Sequence, residues 1–247
     1  MTGPAAWVFV GDLDELRLGI GDAHHLSRVL RLRAGEEVGA SDGAGRWRPC
    51  VVAGAGGGEV RLEATGPVVV DEAPQPPVTV GFSLVKGDRP ELVVQKLTEL
   101  GVDRILPLAA ARSVVRWDAD RAARGVGRLR QVAREAAMQA RRSRLPEIAP
   151  VTAVAGAAAD LVGRGGLCQQ GGDQPPSLRR PALLVGPEGG WDTDEVACGL
   201  PAVGLGPTTL RAETAAIAAG VLLCGLRATT VREARDQDHP FGVGRRD

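Results

Sequence analysis

The sequence predicts a two-domain protein, with a small β-rich domain over residues 1–72 and an α/β domain over residues 73–247. Residues 71–77 mark the boundary, because two acids and then three prolines in four residues form a stiff, extended connector. Before this connector, short apolar runs are separated by glycines. After it, strand-like and helix-like segments alternate, which is typical of α/β proteins.

The N-terminal region contains four short strand-like segments. Turn signals rich in glycine, residues 43–45 and 54–58, separate them. One or two helical turns over residues 23–30 interrupt the pattern, which predicts a small β-barrel. The predicted strands are residues 7–10, 37–41, 46–53 and 59–63.

The first elements after the connector predict a parallel sheet. Apolar side chains alternate over residues 78–84, as in a strand. A helix then begins at Asp88, with Glu91 at the spacing of a capping box, and Gly101 is placed to end it. Residues 104–108 form the next strand, and strand, helix and strand within about thirty residues make a parallel βαβ unit.

The alternation continues to residue 227. Residues 163–181 are rich in glycine and proline and are predicted to be a loop with a short strand at 166–169. Asp192 and Glu195 have capping-box spacing for a short helix. The remaining predicted elements are helix 119–142, strand 147–151, helix 153–162, strand 182–185, strand 202–205 and helix 214–227.

Composition excludes several classes of protein. A chain that is 44% hydrophobic and 24% charged is globular rather than disordered. The longest apolar stretch, residues 215–226, is shorter than the roughly 20 residues that span a bilayer. Acids within the first twenty residues leave no secretory signal. We therefore expect a soluble, cytoplasmic protein with no membrane partner.

The cysteines give no sign of a metal site. Cys50, Cys168, Cys198 and Cys224 form no C-x-x-C pair, and the chain holds three histidines. Structural zinc sites need closely spaced cysteines and histidines. We expect reduced thiols and no bound metal.

Positive charge is concentrated in two places although the net charge is zero. Residues 112–144 hold ten arginines and three acids, a local charge of +7. A second basic cluster over residues 24–33 contains no acid. Such clusters on a neutral protein indicate a local surface that binds a polyanion. The alternative is a solvated helix face whose arginines pair with acids elsewhere.

Two polar loops follow predicted strands of the α/β domain. Residues 186–190, Gly-Pro-Glu-Gly-Gly, come directly after an apolar strand, where open α/β sheets bind ligands. The loop has no P-loop lysine, and Glu188 would repel phosphate, so it suits a neutral or cationic ligand. The alternative is a tight turn before a helix.

The second loop spans residues 205–215. It carries Arg211 and Glu213, and Thr214 is placed to cap an alanine-rich helix. The alternative is an Arg–Glu salt bridge that steadies the start of this helix. No G-x-G-x-x-G follows the first strand of the α/β domain, and no hydrolase motif is present, so nucleotide-binding Rossmann and hydrolase functions are disfavoured.

Six segments in this order resemble one family of enzymes. The segments are His24-His-Leu-Ser-Arg-Val-Leu-Arg31, Lys86-Gly-Asp-Arg89, Gln95-Lys-Leu-Thr-Glu-Leu-Gly101, Arg112-Ser-Val-Val115, Gly186-Pro-Glu-Gly-Gly190 and Leu210-Arg-Ala-Glu-Thr-Ala215. Together they resemble the RsmE family of small-subunit ribosomal RNA methyltransferases, within the SPOUT superfamily. The resemblance extends over nearly the whole chain, from about residue 7 to residue 227.

The resemblance implies a fold and a reaction. It implies a PUA-like, RNA-binding β-barrel joined to a SPOUT α/β domain whose C-terminal part, about residues 165–227, forms a trefoil knot. It also implies a homodimer that binds S-adenosylmethionine in a bent form. The reaction implied is methylation of a uridine at N3 in the 16S ribosomal RNA of the small subunit.

The resemblance also implies the cofactor-binding loops, which are residues 186–190, residues 205–215 and a third loop near residues 167–169. The other roles are hypotheses from the chemistry of the reaction. Arg211 would stabilise negative charge on the uracil oxygens, and Glu213 would orient Arg211 or the cofactor. The expected cofactor-binding residues are Leu167, Gly186, Pro187, Glu188, Gly189, Gly190, Leu205, Gly206, Thr209, Leu210, Arg211, Thr214 and Ala215. The expected RNA-binding residues are His24, His25, Arg28, Arg31, Lys86, Lys96, Arg112, Arg116, Arg134, Gln139, Arg141 and Arg142.

Two other functions stay open on the residues alone. A non-catalytic RNA-binding or ribosome-assembly factor would use the basic clusters, and its glycine loops would be plain turns. A SPOUT enzyme acting on a ribose 2′-hydroxyl would bind the same cofactor and make a different product.

Overall fold

The computed structural model describes residue 4 and residues 6–19, 33–56 and 59–231, and these residues form two β-sheets. The predicted helical turns over residues 23–30 lie outside the described part of the chain.

The first sheet belongs to the N-terminal region. Its strands are β1 (Ala6–Phe9), β2 (Glu37–Ser41), β3 (Arg46–Gly56), β4 (Glu59–Ala64) and β5 (Val69–Val70). They lie in the order β1-β2-β3-β4, with β5 beside β3. β1 and β2 are parallel, and the other pairs are antiparallel. The first four strands match the predicted segments, whereas the two residues of β5 are too few for an alternating pattern.

The second sheet is parallel throughout, as predicted. Its strand order is β12-β10-β11-β6-β7-β8, with β9 also paired to β7. The central strand β6 is buried at every residue, because helices cover both faces of a parallel sheet. The strands are β6 (Thr79–Ser83), β7 (Arg104–Ala109), β8 (Glu147–Ile148), β9 (Thr152–Ala153), β10 (Gly165–Cys168), β11 (Ala182–Val185) and β12 (Ala202–Val203).

Five described helices accompany this sheet: α1 (Arg89–Leu100), α2 (Ala119–Gln139), α3 (Val154–Asp160), α4 (Thr193–Val196) and α5 (Ala212–Arg227). Helices α1, α2 and α5 share one hydrophobic core with the sheet, which includes Phe82, Leu97, Leu129 and Leu223. A second core contains side chains from α3 together with Trp191. The sheet is therefore the middle of three layers.

Helix α1 is capped differently from the prediction at its start. Asp88 precedes the helix, but its side chain makes no capping hydrogen bond. Glu91 forms an ion pair with Arg128 of α2 at 2.7 Å, so the predicted capping box is absent. At the other end, Gly101 adopts a left-handed φ of 97° and ends the helix as predicted.

A turn of the first sheet contacts the segment that follows α2. The backbone N–H of Gly45 donates to the carbonyl of Ser143 at 3.0 Å, and that of Leu145 donates to Gly43 at 2.9 Å. Gly43 and Gly45 both have positive φ, 75° and 99° respectively, which favours glycine over other residues. The Phe9 ring packs against α2 in the same region. The turn over residues 43–45 therefore joins the two sheets, while the division at residues 72 and 73 stays a prediction.

Candidate functional site

The ends of β10 and β11 open into a cavity of about 370 Å³. Small-molecule sites in proteins occupy roughly 300–1,000 Å³ and lie beyond the carboxyl ends of parallel strands. Of the predicted cofactor-binding residues, the cavity is lined by Gly186, Pro187, Glu188, Gly190, Leu205, Gly206, Thr209, Leu210 and Ala215.

The remaining predicted residues lie elsewhere. Leu167 is fully buried in the core, and Gly189, Arg211 and Thr214 are not among the lining residues. Other residues that line the cavity were not among the predicted cofactor-binding residues. Two of these, Cys168 and Gln169, lie in the predicted third cofactor loop. These lining residues are Cys168, Gln169, Gln170, Val185, Trp191, Val196, Thr208 and Ala212.

Trp191 holds one wall of the cavity. Its indole N–H donates to the carbonyl of Cys168 at 3.0 Å. Its ring lies against Gly186, where a Cβ would come within 2.9 Å of Cε2. Gly190 has a φ of 71° and closes the turn by donating to Pro187 at 2.9 Å. The glycine loop is thus both a tight turn and a wall of the cavity. Its interpretation as a turn before a helix is therefore compatible with its interpretation as a ligand-binding loop.

The opposite wall is the loop that leads into α5. The helix begins at Ala212, two residues earlier than predicted. Arg211, in an extended conformation, precedes the helix as its N-cap residue and is exposed. Thr214 therefore lies inside the first turn instead of capping it. Gly206 has a φ of 150°, a backbone conformation that favours glycine.

The cavity has one charged side chain among its described lining residues, Glu188. Arg89, at the start of α1, lies between two carboxylates. Its Nη1 is 3.6 Å from Glu188 Oε1 and 3.4 Å from Glu213 Oε1. Glu213 is therefore paired with Arg89 and not with Arg211, which corrects the expected partner. The other carboxylate oxygen of Glu213 is buried and has no hydrogen-bond partner among the described residues.

Glu195 fastens the glycine loop to the loop after β7. Its carboxylate accepts the backbone N–H of Ala111 at 2.8 Å and that of Asp192 at 2.9 Å. The second bond is the reciprocal bond of a capping box, at the predicted spacing. Arg112 reinforces this contact, because its guanidinium lies 3.3 Å from the Asp192 carboxylate.

Burial raises the pKa of the Cys168 thiol from 9.0 to about 12. The side chain packs against the core beneath α1, α2 and α5. Cys168 is therefore a neutral thiol at physiological pH, and its backbone carbonyl is the group that receives the Trp191 hydrogen bond.

The predicted RNA-binding residues divide into three groups. His24, His25, Arg28 and Arg31 lie outside the described residues. Lys86, Arg112, Arg116, Gln139 and Arg141 are exposed, and Lys96 pairs with Glu99 at 2.9 Å.

Arg134 and Arg142 have structural contacts instead. The Arg134 guanidinium donates to the carbonyl of Phe9 at 2.8 Å and lies 5.0 Å from the centre of its ring. Arg142 donates to the carbonyls of Thr98 and Val102 at 2.7 and 3.0 Å, at the end of α1. Burial lowers the pKa of Arg142, with the nearby Asp103 carboxylate opposing that shift. Arg142 therefore has a structural role at the end of α1, and its assignment to an RNA surface stays a prediction.

No group of metal-ligating side chains occurs within the described ranges, and no helix there is long and apolar enough to cross a membrane.

Comparisons with known proteins identify the family. Residues 71–223 match a model described as an RNA methyltransferase domain, and residues 18–65 match an RNA methyltransferase PUA domain. The chain is 40% identical over 217 residues to a Mycobacterium tuberculosis protein named ribosomal RNA small subunit methyltransferase E, across 80% of this chain and 81% of the relative. The chain belongs to the RsmE family.

Solved structures agree with this membership. An RsmE structure from Neisseria gonorrhoeae, solved with bound S-adenosylmethionine, matches with a TM-score of 0.75 and 27% identity, covering 91% of this chain and 98% of that one. A Legionella pneumophila methyltransferase matches with a TM-score of 0.79 at 24% identity, which shows the shared fold. A PUA-like N-terminal domain and a parallel α/β methyltransferase domain are thus confirmed, and the RsmE family uses S-adenosylmethionine.

Proposed function

We propose that this protein transfers a methyl group from S-adenosylmethionine to N3 of a uridine in the 16S ribosomal RNA of the small subunit. The observation that supports this most is the cavity formed by the loops after β10, β11 and β12, with Glu188 as its charged lining residue. Membership of the RsmE family supplies the substrate class.

The cavity fits the cofactor by size and by charge. Its volume of about 370 Å³ lies in the range of small-molecule sites. Val185, Trp191 and Leu210 give an apolar surface for a nucleoside. Glu188 is placed to attract a cationic ligand, and no Lys or Arg appears among the described lining residues.

Arg211 is the proposed catalytic residue for charge stabilisation. When bound, S-adenosylmethionine supplies an electrophilic methyl group on a positively charged sulfur. Uridine N3–H is weakly acidic, and loss of its proton leaves negative charge on the uracil oxygens. Arg211 is exposed and lies between Leu210 and Ala212, which both line the cavity. A cation at that rim stabilises the charge that develops on the base.

Glu213 is proposed to position groups rather than to accept the proton. Its side chain is 13% exposed, one oxygen pairs with Arg89, and the other is shielded from solvent. A general base must come within hydrogen-bond reach of the proton that it removes. The observed burial therefore supports an orienting role.

The RNA is proposed to bind across exposed cations near the cavity. Arg112 and Arg116 lie in the loop after β7, beside the glycine loop, and Lys86 precedes α1. Arg141, which follows the end of α2, and the basic cluster over residues 24–33 are the remaining parts of the proposed footprint. Because pairing hides the N3 edge of uridine, the target base must be unpaired or flipped.

The proposed assembly is a cytoplasmic homodimer with a trefoil knot over about residues 165–227. Exposed apolar side chains on two adjacent helices, Leu92 of α1 and Val221 of α5, support a subunit interface. Membership of the RsmE family supports the knot.

The first test is a calorimetric titration of the protein with S-adenosylmethionine. We expect micromolar binding by the wild type and a loss of at least about tenfold in the Gly186→Ala variant, because the added methyl displaces Trp191. Gly127→Ala is the matched control, since a Cβ on Gly127 meets no atom within 4 Å. A folded wild type that does not bind the cofactor would favour a non-catalytic RNA-binding protein instead.

A further inference from the structure

Arg89 occupies a place between the two walls of the cavity. It is the first residue of α1, and its side chain is 39% exposed. Both of its ion pairs use the same nitrogen, Nη1, which lies 3.6 Å from Glu188 and 3.4 Å from Glu213. One guanidinium therefore serves two carboxylates that are 25 residues apart in sequence.

The two carboxylates belong to different walls. Glu188 lies in the glycine loop after β11 and lines the cavity. Glu213 lies in the first turn of α5, between Ala212 and Ala215, which also line it. Within the described part of the chain, Arg89 is the cation paired with each of them. A third element, α1, thus connects both walls.

We propose that Arg89 is a positioning residue that holds the glycine loop and the start of α5 at the spacing that binds the cofactor. This role rests on the proposed function. Arg89 does not line the cavity and acts through Glu188 and Glu213. Without it, two like charges face each other and Glu213 is left partly buried without a countercharge, so the walls move apart.

A purely electrostatic role predicts the opposite effect on binding. Removing a positive charge near Glu188 makes the cavity more negative, and a cationic ligand would then bind more tightly. A positioning role predicts weaker binding. The sign of the change in affinity therefore separates the two roles.

The experiment compares affinities for S-adenosylmethionine by calorimetry. We expect Arg89→Met to weaken binding by at least about tenfold. Arg89→Lys should recover affinity to within about threefold of wild type, because both contacts go through one nitrogen that an ammonium can replace. The matched control is Arg104→Met, which breaks a 3.3 Å ion pair with Glu147 at the opposite edge of the sheet and should leave affinity unchanged.

A double-mutant cycle adds a readout that general destabilisation would not reproduce. Glu213→Gln alone should weaken binding, and adding Arg89→Met to it should cost clearly less than Arg89→Met costs in the wild type. Circular dichroism verifies that each variant is folded, and Glu213→Gln tests the same link if Arg89→Met fails to fold.

The outcomes separate the two claims. Unchanged or tighter binding by folded Arg89→Met, or full additivity in the cycle, would overturn the role of Arg89 while the proposed function stands. A folded wild type that lacks affinity for the cofactor would overturn the proposed function and this role with it.

Discussion

The indole of Trp191 joins two neighbouring strand ends by donating a hydrogen bond of 3.0 Å to the carbonyl oxygen of Cys168. Cys168 ends β10, and Trp191 follows the glycine loop after β11. Both residues line the cavity. A single aromatic side chain therefore fixes the position of the glycine loop relative to the sheet.

Trp191→Phe should keep the packing against Gly186 and lose this hydrogen bond. We expect a loss of about 1 kcal/mol in the free energy of unfolding and a severalfold weaker affinity for S-adenosylmethionine. Because the indole lines the cavity, cofactor binding should change the tryptophan fluorescence of the wild type and not of this variant. Trp117→Phe is the control that keeps the signal. A binding-induced change that persisted in Trp191→Phe would place the cofactor elsewhere.

We expect substitution of Arg142 to lower the stability of the fold, and substitution of Arg141 to weaken RNA binding. Arg142→Met removes a guanidinium that donates to two carbonyls at the end of α1, so we expect thermal unfolding to show a loss of about 1–3 kcal/mol. Arg141 is exposed, and Arg141→Ala should leave stability within about 0.5 kcal/mol of wild type.

The affinity of the folded protein for RNA should depend on Arg141 and not on Arg142. Arg141→Ala should weaken binding and reduce the slope of log affinity against log salt by about one unit. Folded Arg142→Met should bind RNA as the wild type does. A normal salt slope in Arg141→Ala would remove this residue from the proposed footprint.

These two arginines also show where sequence reasoning ends. The charge of residues 112–144 predicts an RNA-binding surface, but charge does not reveal which side chains turn inward. Arg142 is half-buried because α2 ends at Gln139 and the chain bends back against α1. Nothing local in the sequence distinguishes it from Arg141, one residue earlier.

The strands and loops of the site were predictable because their signals are local. An apolar run followed by Gly-Pro-Glu-Gly-Gly indicates a strand end and a loop, and the parallel sheet follows from the alternation of elements. The pairing of Arg89 with Glu188 and Glu213, which are 99 and 124 residues further along the chain, depends instead on tertiary placement. The role of Trp191 depends on the same long-range register between β10 and β11.

The Cys168 thiol should make stability depend on alkaline pH. Its pKa is raised to about 12 in the folded state, so its neutral form is favoured there, and the stability it contributes is complete below pH 9.0. That stability should fall as the pH rises from 9.0 toward about 12, by about 1.4 kcal/mol per pH unit for this thiol.

Urea unfolding at pH 8, 9.5 and 10.5 measures the free energy of unfolding. In Cys168→Ala this free energy should decline less steeply with pH than in the wild type. Alkylation gives a second measurement, since iodoacetamide at pH 8 should label Cys168 much more slowly in folded than in unfolded protein. Rapid labelling of the folded thiol would contradict its raised pKa.

Glu188 should distinguish the cofactor from its demethylated product. S-adenosylmethionine carries a positive sulfur and S-adenosylhomocysteine does not, so the Glu188 carboxylate attracts only the first at that atom. We expect Glu188→Gln to weaken binding of S-adenosylmethionine by about twofold to fivefold, because an exposed ion pair contributes up to about 1 kcal/mol. Binding of the product should change less. Equal losses for both ligands would show that Glu188 does not sense the sulfur charge.

Methylation of a uridine base at N3 can be tested by nucleoside analysis of the RNA product. Purified protein, S-adenosylmethionine and small-subunit ribosomal RNA, free or in assembled subunits, are incubated, and the RNA is digested to nucleosides for mass spectrometry. We predict 3-methyluridine with the wild type and its loss with Gly186→Ala. A ribose-methylated nucleoside, or no methylated product from protein that binds the cofactor, would exclude methylation of the base at N3.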